Sequence, residues 1–146
     1  MDTSRARVVF ACVHNAGRSQ MAAAFFNVLA DRKKARAVSV GTAPAPRVHP
    51  GVVTAMAEAG IDIRRAIPRL LTPEVAANAH LLVTMGCGES CPVVPNVRRE
   101  DWSLPDPKAQ SLPHVREIRD AIRNRVAALL AREGWARAAP GSRSSP

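Results

Sequence analysis

Cys12-Val13-His14-Asn15-Ala16-Gly17-Arg18-Ser19 stands between an apolar, β-branched run (Val8-Val9-Phe10-Ala11) and a run of good helix formers (Gln20-Met21-Ala22-Ala23-Ala24). It sets a cysteine and an arginine six positions apart across a short polar loop. A loop of this length can curl its backbone N–H groups around one oxyanion, and a helix opening near Arg18 adds the positive end of its dipole. Fixed partial charges and a guanidinium favour the thiolate of a cysteine at the lip of such a nest. The residues therefore divide into a nucleophile, Cys12, and an oxyanion cradle made of Val13, His14, Asn15, Ala16, Gly17, Arg18 and Ser19. Gly17 offers backbone angles closed to other residues, and Asn15 tolerates a left-handed conformation. Arg18 can grip two oxygens of a tetrahedral anion, and Ser19 can donate its hydroxyl to the Cys12 sulfur. The alternative is a buried cysteine near a strand end beside an unrelated arginine; the strand–loop–helix context and the Asn/Gly/Ser content weigh against it.

Outward from this loop, the chain alternates strands and helices. Arg7 to Val13 reads as a buried strand, and Ser19 to Ala30 as a helix with Met21, Phe25, Val28 and Leu29 on one face. Ala37 to Val40 is a second strand ended by Gly41, after which Pro44 and Pro46 enforce a loop. His49 to Ala59 is helical and stops at Gly60. Thr72-Pro73 is an N-cap with proline at the first helical position, for a short helix to Asn78. His80 to Met85 is a third strand, Gly86 to Asn96 a long exposed loop, and Val97 to Ser103 holds a short fourth strand. Pro113 to Glu133 carries Val115, Ile118, Ile122, Val126, Leu129 and Leu130 at helical spacing. The expectation is an α/β domain over residues 1–135, a four-stranded parallel sheet with helices on both faces, followed by a disordered tail at 136–146. The anion loop then lies at the carboxyl end of the first strand, where open α/β sheets bind ligands.

Composition narrows the setting. The 146 residues suffice for one core without disulfides, and with no tyrosine that core is mostly aliphatic. No apolar run is long enough to span a membrane, and Met1 to Arg7 leads into the first strand without a signal-peptide pattern, so the expected location is the cytoplasm. Three cysteines suit reactive thiols in a reducing compartment better than a secreted framework. The net charge of +9 comes mostly from arginine and suits anionic partners. Scattered arginines without an aromatic stacking platform argue against nucleic acid.

A leaving oxygen needs a proton. Asp106, held between Pro105 and Pro107, is the candidate acid, the alternative being an ordinary turn aspartate. With these residues the chain resembles the low-molecular-weight protein tyrosine phosphatase superfamily, and within it the arsenate reductases. The resemblance rests on Cys12 to Ala22, on Val83-Thr84-Met85-Gly86-Cys87-Gly88-Glu89-Ser90-Cys91-Pro92, and on Glu100-Asp101-Trp102-Ser103-Leu104-Pro105-Asp106-Pro107. It runs in register over roughly residues 7–132.

The second cysteine pair distinguishes the two activities. A phosphatase needs Cys12, Arg18 and Asp106, whereas a reductase must supply two electrons, and Cys87 and Cys91 are spaced for a disulfide relay. Two other readings of this pair are half a zinc site with His80, which lacks the second ligand pair structural zinc requires, and a pair of inert thiols. The resemblance implies that Cys12 attacks arsenate held by the loop and Arg18 while Asp106 protonates the departing oxygen. Cys87 then attacks the Cys12 sulfur and expels arsenite. Cys91 attacks Cys87, and thioredoxin reduces the Cys87–Cys91 disulfide. Gly86 and Gly88 give the relay segment freedom to move.

Several departures qualify the resemblance. Some thioredoxin-coupled relatives bind potassium through a glutamate five positions after the arginine; Ala23 stands there, so no metal is expected. Phosphatases of the superfamily carry tyrosines after the Asp-Pro, where this chain has Lys108. His14 is expected to point outward rather than to act as a base. His49 and His114 read as surface residues at helix starts. The polar side of the last helix (Arg116, Arg119, Arg123, Arg125, with Glu117 and Asp120 interleaved) reads as solvated. No bound cofactor is expected, and the protein is expected to be monomeric. Electrons come from thioredoxin by the family's usual pattern, or from a low-molecular-weight thiol system. The alternatives are hydrolysis of phosphate monoesters on the same loop, and a non-catalytic basic protein that binds anions or nucleic acid.

Overall fold

In a computed structural model of the chain, residues 5–86 and 94–137 are described. Four strands, β1 (Ala6–Cys12), β2 (Ala35–Gly41), β3 (Leu81–Thr84) and β4 (Arg98–Asp101), form one parallel sheet in the order β2-β1-β3-β4. Between and after them run α1 (Arg18–Leu29), α2 (Pro50–Glu58), α3 (Pro73–Ala77) and α4 (Leu112–Glu133). The chain leaves β1 through α1 to β2 on one side, then crosses to β3 on the other. β1 is thus flanked by strands reached in opposite directions, and the crevice at its carboxyl end is the switch point at which such sheets bind ligands. The expected four-stranded parallel architecture is the observed one.

Alternation along β1 sorts the two faces. Val8, Phe10 and Cys12 join Leu81 and Val83 in the larger core, under α1, α2 and α4. Val9 and Ala11 face the opposite way with Leu82 and Val40, covered by Leu71, Val75 of α3 and Val97. Phe10 sits at the centre of the larger core, its ring 6.0 Å from Phe26 and 5.5 Å from Trp102. All six apolar residues expected along α4 are buried. β4 reads Arg-Arg-Glu-Asp and lies at the sheet edge, where charge discourages pairing with another chain.

The structure departs from the sequence reading in several places. β2 begins at Ala35 because Ala6 to Cys12 pair with Ala35 to Gly41 residue by residue; the charged Lys33-Lys34-Ala35-Arg36 run hides that start. Val28, expected in the core, is 42% exposed, and Phe26 takes its place at 0%. Ala136 and Arg137, expected in a disordered tail, are fixed. Ala136 bridges to Ala30, Arg137 N–H donates to Leu29 O at 3.0 Å, and the Trp135 ring lies 6.2 Å from Phe26. Residues 138–146 of that tail lie outside the described residues. The polar side of α4 is only partly solvated. Arg116 and Arg119 both bond Glu58 of α2, and Arg119 also donates to Ala55 O at 2.9 Å. Among the described residues, no helix is long and apolar enough to cross a membrane.

Candidate active site

The loop from Cys12 to Gly17 is oriented by the segment after β2. The carbonyls of Cys12, Val13, His14 and Ala16 accept from the N–H groups of Thr42, Ala43, Ala45 and His49 at 2.8–3.1 Å. In a trans peptide each carbonyl opposes the next residue's N–H. The N–H groups of Val13, His14, Asn15 and Gly17 therefore point away from that segment, to the concave side. The first-turn N–H groups of α1, which no helical carbonyl can satisfy, open beside them. Gly41 makes this approach possible: a Cβ there would stand 2.6 Å from Val13 O and 2.9 Å from Asn15 N.

A hydrogen-bond chain converges on the thiol. Asn15 is buried and left-handed, φ +50°. Its Oδ1 accepts from Arg69 N–H at 2.8 Å, and since a backbone amide can only donate, the carboxamide orientation is fixed. Nδ2 must then donate to Ser19 Oγ, 2.7 Å away. Ser19 Oγ stands 2.9 Å from the Cys12 sulfur, and toward a thiolate, which carries no proton, it can only donate. The expected Ser19 contact is present, and Asn15 holds the hydroxyl in place.

Arg18 is 7% exposed. Its Nη1 donates to Leu104 O at 3.2 Å, Nη2 stands 3.7 Å from Asp106 Oδ2, and Nε is buried with no hydrogen-bond partner among the described residues. A desolvated N–H without an acceptor is costly unless a ligand supplies one. A tetrahedral oxyanion in the loop is such a ligand. The two prolines beside Asp106 act unequally. Pro107 packs on Gly17, and Lys108 N–H donates to Asp106 Oδ1 at 2.9 Å, which fixes the carboxyl near the guanidinium. Gly17 has φ −143° and ψ −90°, outside both the extended and the right-handed helical regions, as expected of a position closed to other residues. A Cβ there would also stand 2.5 Å from Pro107 Cγ, a second reason for glycine beside the expected one.

His49 is the N-cap of α2, half-buried rather than a plain surface residue. Burial lowers its pKa below the ordinary 6.5; Asp106 pulls the other way, and His14 and Lys108 add to the lowering. The ring is neutral at neutral pH and adds no charge beside Asp106. His14 is half-buried and lines the same depression as Arg47, His49 and Lys108, while His114 is exposed. Thus Cys12, Arg18, Ser19 and Asp106, drawn from distant parts of the chain, come together at one mouth. Cys87 and Cys91 lie outside the described residues. Gly86, the last described residue before them, has φ +96° and lies against Arg18, with no room for a side chain beside Nη1. Gln20, Gly41 and the Leu104 carbonyl went unnoticed in the sequence. A glutamine in a helix reads as surface, and a backbone acceptor leaves no compositional trace.

Residues 7–136 match the family model described as low molecular weight phosphotyrosine protein phosphatase. A putative arsenate reductase of Halobacterium salinarum is 39% identical over 121 residues, 80% of this chain and 85% of that protein. The glutaredoxin arsenate reductase of a Synechocystis species is 36% identical over 86% of this chain and 97% of its own. The structure of the thioredoxin-dependent arsenate reductase of Corynebacterium glutamicum superposes with a TM-score of 0.78 at 34% identity, covering 90% of this chain; this chain spans 63% of that one. The chain belongs to the low molecular weight phosphotyrosine protein phosphatase family, in its arsenate reductase branch.

Proposed function

We infer that this protein reduces arsenate to arsenite. Cys12 attacks arsenic, a sulfur–arsenic bond forms, and one oxygen leaves as water with a proton from Asp106. Arg18 and the loop N–H groups hold the remaining oxygens. The Cys87 thiolate then attacks the Cys12 sulfur. The sulfur–arsenic bond breaks with its electron pair going to arsenic, so As(V) becomes As(III) as two thiols become one disulfide. Cys91 exchanges with Cys87 and frees Cys12. A dithiol reductant of the thioredoxin type returns two electrons to the Cys87–Cys91 disulfide. A reducing compartment, the cytoplasm, suits this cycle.

The observation that carries this reading over plain ester hydrolysis is Gly86 packed on the Arg18 guanidinium. Cys87 follows Gly86 in the sequence, and a second thiol is something a phosphatase has no use for. Relatives of both coupling types, glutaredoxin and thioredoxin-dependent, support a thiol reductant, and the thioredoxin-dependent structure favours thioredoxin.

The test is arsenate-dependent NADPH oxidation with thioredoxin and thioredoxin reductase, in wild type, Cys87→Ser and Cys91→Ser. Turnover that requires arsenate and both cysteines is expected. Hydrolysis of para-nitrophenyl phosphate surviving both substitutions, with no arsenite from any thiol donor, would make the protein a phosphatase instead.

A further inference from the structure

Gln20 is the third residue of α1 and only 6% exposed. Burying a carboxamide is unfavourable unless its polar atoms are used. Its Nε2 stands 3.1 Å from Asn15 O, 3.1 Å from Asn15 Oδ1 and 3.5 Å from Ile67 O. Three acceptors on one side require the nitrogen to face them; the oxygen there would meet only lone pairs. One side chain thus clamps both the backbone and the side-chain oxygen of a single residue, and that residue is left-handed at φ +50°, a conformation asparagine adopts more readily than other non-glycine residues.

We propose that Gln20 is a positioning residue for the thiol chemistry, acting through Asn15 on the hydrogen bond that Ser19 gives to Cys12. Asn15 Oδ1 takes Arg69 N–H from one side and Gln20 Nε2 from the other. With both contacts made the carboxamide cannot turn, and Nδ2 stays on Ser19 Oγ. Remove the Gln20 donor and Asn15 loses, among the described residues, the side-chain restraint on its backbone carbonyl and one of the two donors to Oδ1. Ser19 is then free to give its proton elsewhere. The oxyanion cradle itself, Arg18 and the backbone N–H groups, contains no side-chain atom of Gln20. Sulfur reactivity should therefore suffer while anion affinity is spared.

This assignment rests on the thiolate mechanism above, and its test separates the two. In the full chain, Gln20→Met removes the donors at similar length, and Gln20→Glu keeps the shape but puts a carboxylate among acceptors. The first measurement is the rate at which iodoacetamide alkylates Cys12 near neutral pH, followed by the mass of the Cys12 peptide. Losing a hydrogen bond to a charged group is expected to slow it about tenfold or more in both variants, with kcat for arsenate reduction falling in parallel. The competitive inhibition constant for inorganic phosphate should stay within about threefold, less than the loss of any direct hydrogen bond to a charged ligand would cause. Thermal melts establish that the variants are folded, and Gln20→Glu carries the test if Gln20→Met is not. Alkylation within twofold of wild type in a folded variant, or a loss confined to phosphate affinity, overturns the assignment. If wild type reduces no arsenate yet the alkylation difference persists, the reductase reading fails and the role of Gln20 stands.

Discussion

Replacing Arg18 by lysine separates charge from shape at the site. The guanidinium gives Nη1 to Leu104 O, sets Nη2 near Asp106 and keeps a free Nε for the substrate. An ammonium supplies one centre where three are used. Arg18→Lys is expected to cut kcat/KM for arsenate roughly a hundredfold or more, the scale of losing a preorganised donor; steady-state kinetics with a coupled thioredoxin assay check it. Asp106→Asn preserves shape and the Lys108 contact but cannot give up a proton as an acid does. The first step should slow by roughly a hundredfold, while exchange between Cys87 and a preformed Cys12 disulfide keeps its wild-type rate. Rapid-quench thiol counting distinguishes the two steps, and an unaltered first step would remove Asp106 from the acid role. At this scale the sequence was informative about Cys12, Arg18, Ser19 and Asp106, whose chemistry is carried by residue type and spacing. It was silent on Gln20 and Gly41, whose importance lies in what another part of the chain brings up against them.

Elements meet at this site through close approaches that small residues permit. Gly17 at the head of α1 lies under Pro107 of the β4–α4 connection. A methyl group at Gly17 would drive that connection, and the Asp106 it carries, away from Arg18. Gly17→Ala is expected to lower kcat towards the Asp106→Asn level and to destabilise the fold by about 1–3 kcal/mol, as overpacking does. Adding Pro107→Ala should recover part of both losses, measured by urea unfolding and turnover. Helices and strands were visible from apolar periodicity wherever one face is buried, as in α4 and β1. The starts of β2 and the placement of Val28 were not, because the first lies in a charged run and the second depends on how α1 rolls against α4.

Across the whole molecule, α2 and α4 are joined by charge as well as by apolar packing. Arg116 gives Glu58 two hydrogen bonds and Arg119 a third, and the first of these is the main reason the Glu58 carboxyl sits below its ordinary 4.5. Glu133, bonded by Arg98, is lowered likewise. A carboxyl that holds its proton less tightly when folded contributes stability above its unfolded pKa and loses it as pH falls through the folded value. Glu58→Gln should therefore lower Tm at neutral pH, and the two melting curves should converge as pH falls from about 4.5 toward the lowered folded pKa. A gap that stays constant across that range would show that Glu58 contributes by packing alone.

Tyrosine is absent and there are two tryptophans, so near-ultraviolet emission comes from Trp102 and Trp135. Trp102 packs at a tilt against Phe10, lies under Arg125 at 5.9 Å and precedes by two residues the carbonyl that Arg18 grips. Trp135 packs on Phe26 at the far end of α1, where Ala136 and Arg137 are pinned. The fold thus carries two intrinsic fluorophores, one wired to the oxyanion site and one to the chain terminus. In a Trp135→Phe background, ligand occupancy becomes readable as light from a single indole, without any attached label.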